Sequence, residues 1–273
     1  MITVLPVATL RLVAGVMLLA WALHGHAGTA CAANAAGAGT ISQGLALAQK
    51  VVALLDGTGA RVALVARVGQ DLSRYKLRYS HFAFAVRDHA GGQWSVVHSL
   101  NHCGTAKAGL YVQGMGNFFA DDVFAYEAAI LLLPSELQAR LEKVLASPVQ
   151  LRRFHEERYS AVAYPFNTVY QNSNQWCLET LAGAMAPEGD VVTRAEAQGW
   201  LQQEGYQPTL LQLTPMTRLG GRMFKAHIAF DDHPGEYRWS DRIYVVSVES
   251  VFEFLRRRYP NDSQRRIVAL DDR

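Results

Sequence analysis

Two histidines on neighbouring alternating segments are the residues of this sequence best placed to do chemistry. His81 stands near the head of Tyr79-Ser80-His81-Phe82-Ala83-Phe84-Ala85-Val86-Arg87-Asp88, and His98 near the end of the stretch from Trp94 to Asn101. Both stretches alternate apolar and polar residues in the manner of strands, and Gly91-Gly92 between them reads as a tight turn. An antiparallel hairpin brings the two imidazoles to one end of a sheet, where one can act as general base and the other orient it. The candidate nucleophiles lie further on, in Asn172-Ser173-Asn174-Gln175-Trp176-Cys177. Ser173, Cys177, Leu181 and Met185 recur every fourth residue and share one helical stripe. Ser173 then sits at the helix N-terminus, where free backbone N–H groups and the dipole favour a developing anion.

Each of these residues also has a plain structural reading. Ser173 or Asn172 can simply cap the helix. Cys177 can be a small buried core residue, and His81 a satisfied core histidine. A second cluster, His227, Asp231, Asp232 and His233, with His102 and Asp121-Asp122 as further partners, has metal-ligand residue types but no recognised ligand spacing. In a strand His227, Asp231 and His233 would share a face; the run of turn formers ending at Pro234 reads instead as a loop.

The elements that must position these side chains are mixed. An amphipathic helix is expected over Ile41–Leu55, with Leu45, Ala48, Val52 and Leu55 on its apolar face. A strand follows over Arg61–Val68, then the histidine hairpin. The segment Asp121–Leu133 is ambiguous in type. Helices are expected after Pro134, over Asn172–Met185, over Thr193–Glu204 with Thr193 and Glu196 as a capping box, and over Val251–Arg257. Tyr159–Tyr164, Leu210–Leu213 and Ile243–Val248 read as strands. Without strict βαβ alternation the class is α+β, an antiparallel sheet packed against helices.

The chain has 273 residues, half of them apolar and 18% charged, enough for one sizeable core. Arg11 followed by an uncharged run from Leu12 to Leu23 and small residues reads as a signal peptide, residues 1–27. The remaining chain divides into a single domain, 28–258, and a polar C-terminal tail, 259–273. Loss of Arg11 leaves 25 basic against 24 acidic side chains, net +1, which gives no footprint for nucleic acid. The expected location is periplasmic or secreted, with no membrane contact after cleavage. In such an oxidising compartment Cys31 and Cys103, both in loops, are expected to form a disulfide, closing a loop worth about 4 kcal/mol in the chain-entropy model. Cys177 is left as a free thiol. No cofactor is expected.

The hairpin and the downstream helix start resemble the circularly permuted papain-like fold group, which includes lecithin:retinol acyltransferase-like proteins and relatives of cell-wall peptidases. In that group a His-bearing strand (here Tyr79 to Val86) is followed by a strand ending Val-Val-His (here Val96-Val97-His98). An Asn-Cys pair at a later helix start supplies the nucleophile. The matching pair here is Asn172-Ser173, so serine stands where the group has cysteine. Tyr79-Ser80-His81, Leu100–Thr105, Asn172–Trp176, Asp231–Pro234 and Val246–Val251 also resemble an uncharacterised bacterial family, domain of unknown function 2145. The papain-like resemblance implies an exported hydrolase or acyltransferase acting on an amide or ester of a small-molecule, peptide or cell-envelope substrate. His81 would be base, His98 orienter, and Ser173 or Cys177 nucleophile. The alternatives are a non-catalytic binding or structural protein on the same fold, and a metal-binding protein.

Overall fold

The computed structural model describes residues 37–120, 123–214, 227–238 and 240–270. The segment read as a signal peptide and Cys31 lie outside the described residues. Eight helices and eight strands are used below: α1 (Ala38–Asp56), β1 (Val62–Val68), β2 (His81–His89), β3 (Gly92–Asn101), β4 (Ala108–Gly114), α2 (Met115–Ala120), β5 (Ala125–Leu132), α3 (Ser135–Leu145), α4 (Pro148–Arg152), α5 (Ser173–Met185), α6 (Arg194–Gln203), β6 (Thr209–Gln212), α7 (Gly235–Arg238), β7 (Arg242–Val245), α8 (Val248–Arg258) and β8 (Gln264–Ala269). Six strands form one antiparallel sheet in the order β4-β3-β2-β1-β5-β8, and β6 pairs with β7 in a small second sheet. The α+β expectation holds.

Pleating divides the six-stranded sheet into two apolar faces. Leu64, Ala66, Phe82, Phe84, Val97 and Leu131 share one core with Trp176, Cys177 and Leu181 of α5, Leu141 of α3 and Phe252 of α8. Ala63, Val65, Ala83, Ala85, Val96 and Ile130 point the other way, onto Leu47 and Val51 of α1 and Phe118 and Phe119 of α2. This is the alternation of strand side chains acting on a sheet covered on both sides. α1 lies so close to α2 that a Cβ at Gly44 would stand 2.5 Å from the Phe119 carbonyl oxygen, so glycine is required there.

Several sequence expectations shift. The buried stripe of α1 is Leu47, Ala48, Val51 and Leu55, while Leu45 is exposed, because the sheet meets the helix one position round from the expected stripe. The ambiguous segment is β5. β4 and α2, not anticipated, continue the sheet beyond the hairpin. Tyr159–Tyr164 is not a strand; it holds only an isolated bridge from Tyr159 to Gln171. The expected polar tail is corrected too: Gln264–Ala269 is β8, paired along β5 from Leu132–Gln264 to Glu127–Ala269. Its run of polar and charged residues suits an edge strand, where charge discourages further pairing.

The segment between α4 and α5 has little regular structure and is held by one buried ion pair. Glu179 of α5 is 1% exposed and accepts from Arg194 Nε at 2.7 Å, Gln171 Nε2 at 2.6 Å and Gln198 Nε2 at 2.7 Å. Arg194 in turn donates to the Thr168 carbonyl at 2.7 Å and the Tyr170 carbonyl at 3.0 Å. Burial pushes the Glu179 carboxyl up, and Arg194 with the flanking amides pulls it back. Removing one partner strands a buried charge, which costs about 3–5 kcal/mol. Glu179→Ala is therefore expected to lose stability of that order in urea unfolding, and Glu179→Met with Arg194→Met to lose much less. Equal losses would show that the pair is not what holds this segment.

Candidate functional site

The chain entering β2 is pinned from three sides around His81. Glu249 of α8 accepts from the Arg78 and Tyr79 backbone N–H groups at 2.7 and 2.9 Å. Tyr79 donates its hydroxyl to Glu127 of β5 at 2.6 Å, and burial with that carboxylate pushes the phenol up to about 12. Asn174 of α5 reaches across, accepting from Phe82 N at 3.2 Å and donating to the Ser80 carbonyl at 3.3 Å. These bonds on either side of His81 fix its backbone and therefore the face its side chain takes.

His81 and His98 do meet. His81 Nε2 and His98 Nδ1 are 2.9 Å apart, and both residues are buried. Phe84 pairs with Val97 and Ala85 with Val96, so continuing the register sets His98 across from Ala83, diagonal to His81 and on its face. That is the face covered by α1 and α2. The Phe118 ring lies 5.8 Å from the His81 ring and 5.6 Å from the His98 ring. Arg67, directly across from His81 on β1, donates Nη1 to the Phe118 carbonyl at 2.6 Å and lies over the same ring. On the far side His98 faces Tyr111 of β4, with ring centres 6.5 Å apart. Burial, then His98, then Arg67 hold the His81 imidazole well below its ordinary range.

Cys177 lies on the other side of the sheet, in the core packed by α5. α5 packs against Phe82 and Phe84, with Trp176 edge-on to the Phe84 ring at 5.8 Å. Cys177 Sγ donates to the Phe82 carbonyl at 3.6 Å, and burial alone pushes its thiol well up, away from the nucleophilic thiolate. It is a free thiol, as expected. Asn172 caps α5, accepting from Gln175 N at 2.7 Å, while Ser173 is buried and interacts with the Tyr159 hydroxyl. Thus the histidines come together on one face, Cys177 lies in the core of the other, and Asn174 at the tip of α5 reaches the backbone on both sides of His81.

The second cluster does not form the arrangement expected of a strand. Asp232 and His233 are buried, with Asp232 Oδ1 2.9 Å from His233 Nδ1 and Oδ2 accepting from Tyr164 N at 2.7 Å. Asp231 is exposed and accepts from the Tyr170 hydroxyl at 3.1 Å. Among the described residues no three His, Cys, Asp or Glu side chains converge as a metal site. Asp121 and Asp122 lie outside the described residues.

Sequence reasoning overlooked Arg67, Tyr111 and Phe118. The signal for Arg67 was its position inside the wholly buried run Val62–Val68, where a charge needs a reason. Tyr111 and Phe118 belong to elements that had not been recognised. Beside Tyr111 a groove of about 730 Å³ opens between the ends of β3 and β4, α2 and the start of α1.

The family described as an uncharacterized protein conserved in bacteria, domain of unknown function 2145, matches residues 54–255. The chain belongs to this family. No curated protein and no solved structure matches it. For this member of the family, the matched span runs from the end of α1 to α8 and includes the histidine pair, α5 and the Glu179–Arg194 pair.

The buried imidazole pair has a consequence for stability. An unfolded histidine titrates near 6.5, whereas folded His81 resists protonation. The unfolded chain therefore binds the proton first. The stability is present above about pH 6.5 and is lost as pH falls below it, by at most about 1.4 kcal/mol per pH unit for one group. Urea unfolding at neutral and mildly acidic pH should show a smaller acid loss for His81→Gln than for the native chain. An unchanged pH slope would remove His81 as the source.

Proposed function

We propose that this chain is an exported, non-catalytic binding protein whose ligand site lies on the histidine face of the sheet. One observation carries the reading: the imidazoles that would activate a nucleophile are on the face closed by Phe118, while Cys177 is in the core packed by α5 on the opposite face. A base acts only within hydrogen-bond reach of its proton. Here His81 is bonded to His98 and Cys177 to the Phe82 carbonyl, and Ser173 interacts with the Tyr159 hydroxyl. The histidine pair then serves to stiffen β2 and β3 behind the groove.

A second reading, a papain-like hydrolase or acyltransferase, draws support from Asn174, which ties the tip of α5 to both residues flanking His81. Activity probes separate the two. A serine-directed fluorophosphonate and a thiol-directed iodoacetamide should leave Ser173 and Cys177 unlabelled in the native protein, with Cys177 reacting only after unfolding. Native labelling of Ser173 that disappears in His81→Ala would reverse the order of the two readings.

Export rests on the Arg11-led apolar run, and places the mature chain in the periplasm or outside the cell. With Cys177 buried and free, Cys31 and Cys103 form the disulfide in this proposal, anchoring the N-terminus beside the groove that Cys103 lines. Non-reducing peptide mapping of exported protein should recover a peptide pair joined through Cys31 and Cys103. Recovery of Cys177 in a mixed peptide would overturn the pairing.

A further inference from the structure

We infer that the groove beside Tyr111 is built for a neutral oligosaccharide. The inference rests on the binding reading above and names the ligand class of that site. The groove holds about 730 Å³, within the usual range for a small-ligand site. Its polar lining is Asn101, Gln113, Asn117, His102 and Tyr111, so among the described lining residues there is no carboxylate, ammonium or guanidinium. Described side chains without a carboxylate, ammonium or guanidinium offer little to an ionic ligand and suit a neutral one. A primary carboxamide has two donors and an acceptor, which matches hydroxyl and acetamido groups that also both donate and accept.

Tyr111 supplies the flat surface that a sugar ring needs. It is 37% exposed. Its ring is held nearly edge-on between two imidazoles, His98 at 6.5 Å and 76°, and His102 at 6.3 Å and 65°. Gly109 makes this seating possible, since a Cβ there would stand 2.8 Å from His102 Nε2 and 3.4 Å from the Tyr111 ring. The backbone of His102 is fixed in turn, its N–H donating to the Lys107 carbonyl at 2.7 Å. A tyrosine oriented in advance loses little rotamer freedom when a ligand lies on it. The buried histidine pair thereby acquires a role as the wall that sets the platform.

Titration calorimetry of the exported chain with fully N-acetylated chitotetraose, and separately with uncharged N-acetyl-tetraalanine amide, tests this. Chitotetraose is expected to bind, with Tyr111→Ala and Asn117→Ala each weakening it about tenfold or more, a loss of about 1.4 kcal/mol. Both variants change exposed side chains, and matching thermal unfolding verifies their fold. No chitotetraose binding at millimolar concentration, or equal affinity in both variants, overturns the inference. If the peptide binds instead and Tyr111→Ala weakens it, the sugar assignment fails while the binding reading stands. If neither binds and the native chain shows turnover lost in Ser173→Ala, the binding reading fails as well.

Discussion

The buried Glu179–Arg194 pair is the constraint on which the rest of this structure depends. α5 is buried almost all round, so it cannot be oriented by an apolar stripe against a polar face. Its orientation comes from the polar side chains it carries inward. Glu179 collects Arg194, Gln171, Gln175 and Gln198, and these reach the carbonyls of Phe154, Pro165, Asn167, Thr168 and Tyr170. A segment that forms almost no ladder bonds has its carbonyls satisfied from one charged centre. With α5 fixed in this way, Asn174 arrives at the start of β2 and Cys177 at the Phe82 carbonyl.

The sheet then distributes the chemistry. Strand alternation allots Phe82 and Phe84 to the α5 core and His81 to the α2 core, and the bonds of Glu249, Glu127 and Asn174 hold that allotment at the very residues where a strand end would fray. The histidine pair and Arg67, gathered round the Phe118 ring, form a polar nucleus in an otherwise apolar layer. A buried polar group is tolerated where it is paired, and the two imidazoles share the bond between His81 Nε2 and His98 Nδ1. The groove beside Tyr111 is the surface expression of that nucleus.

Much of the frame was legible in the sequence. The histidine hairpin, the helix opened by Asn172, the Thr193–Glu196 capping box and the meeting of His81 with His98 all follow from local rules of period and capping, which act over a few residues. What was not legible is what depends on packing. The stripe Ser173–Cys177–Leu181–Met185 is real, but a helix surrounded by core has no single inward side, so the stripe could not say which residues Ser173 would face. β8 was hidden because Gln264-Arg265-Arg266 has the composition of a tail, and only the open edge of β5 makes it a strand. Glu179 looked like an ordinary helical glutamate, and nothing local announces a partner fifteen residues on.

The pinned start of β2 also sets which face of the sheet carries the imidazole. The face that His81 takes is decided by counting residues from the ladder, and each added residue reverses the count. One residue inserted between His81 and Phe82, accommodated as a bulge, would leave the aromatic core in register and turn the imidazole through the sheet towards the tip of α5. The choice between the two faces for this imidazole is therefore arithmetic: odd or even, with a single codon as the step.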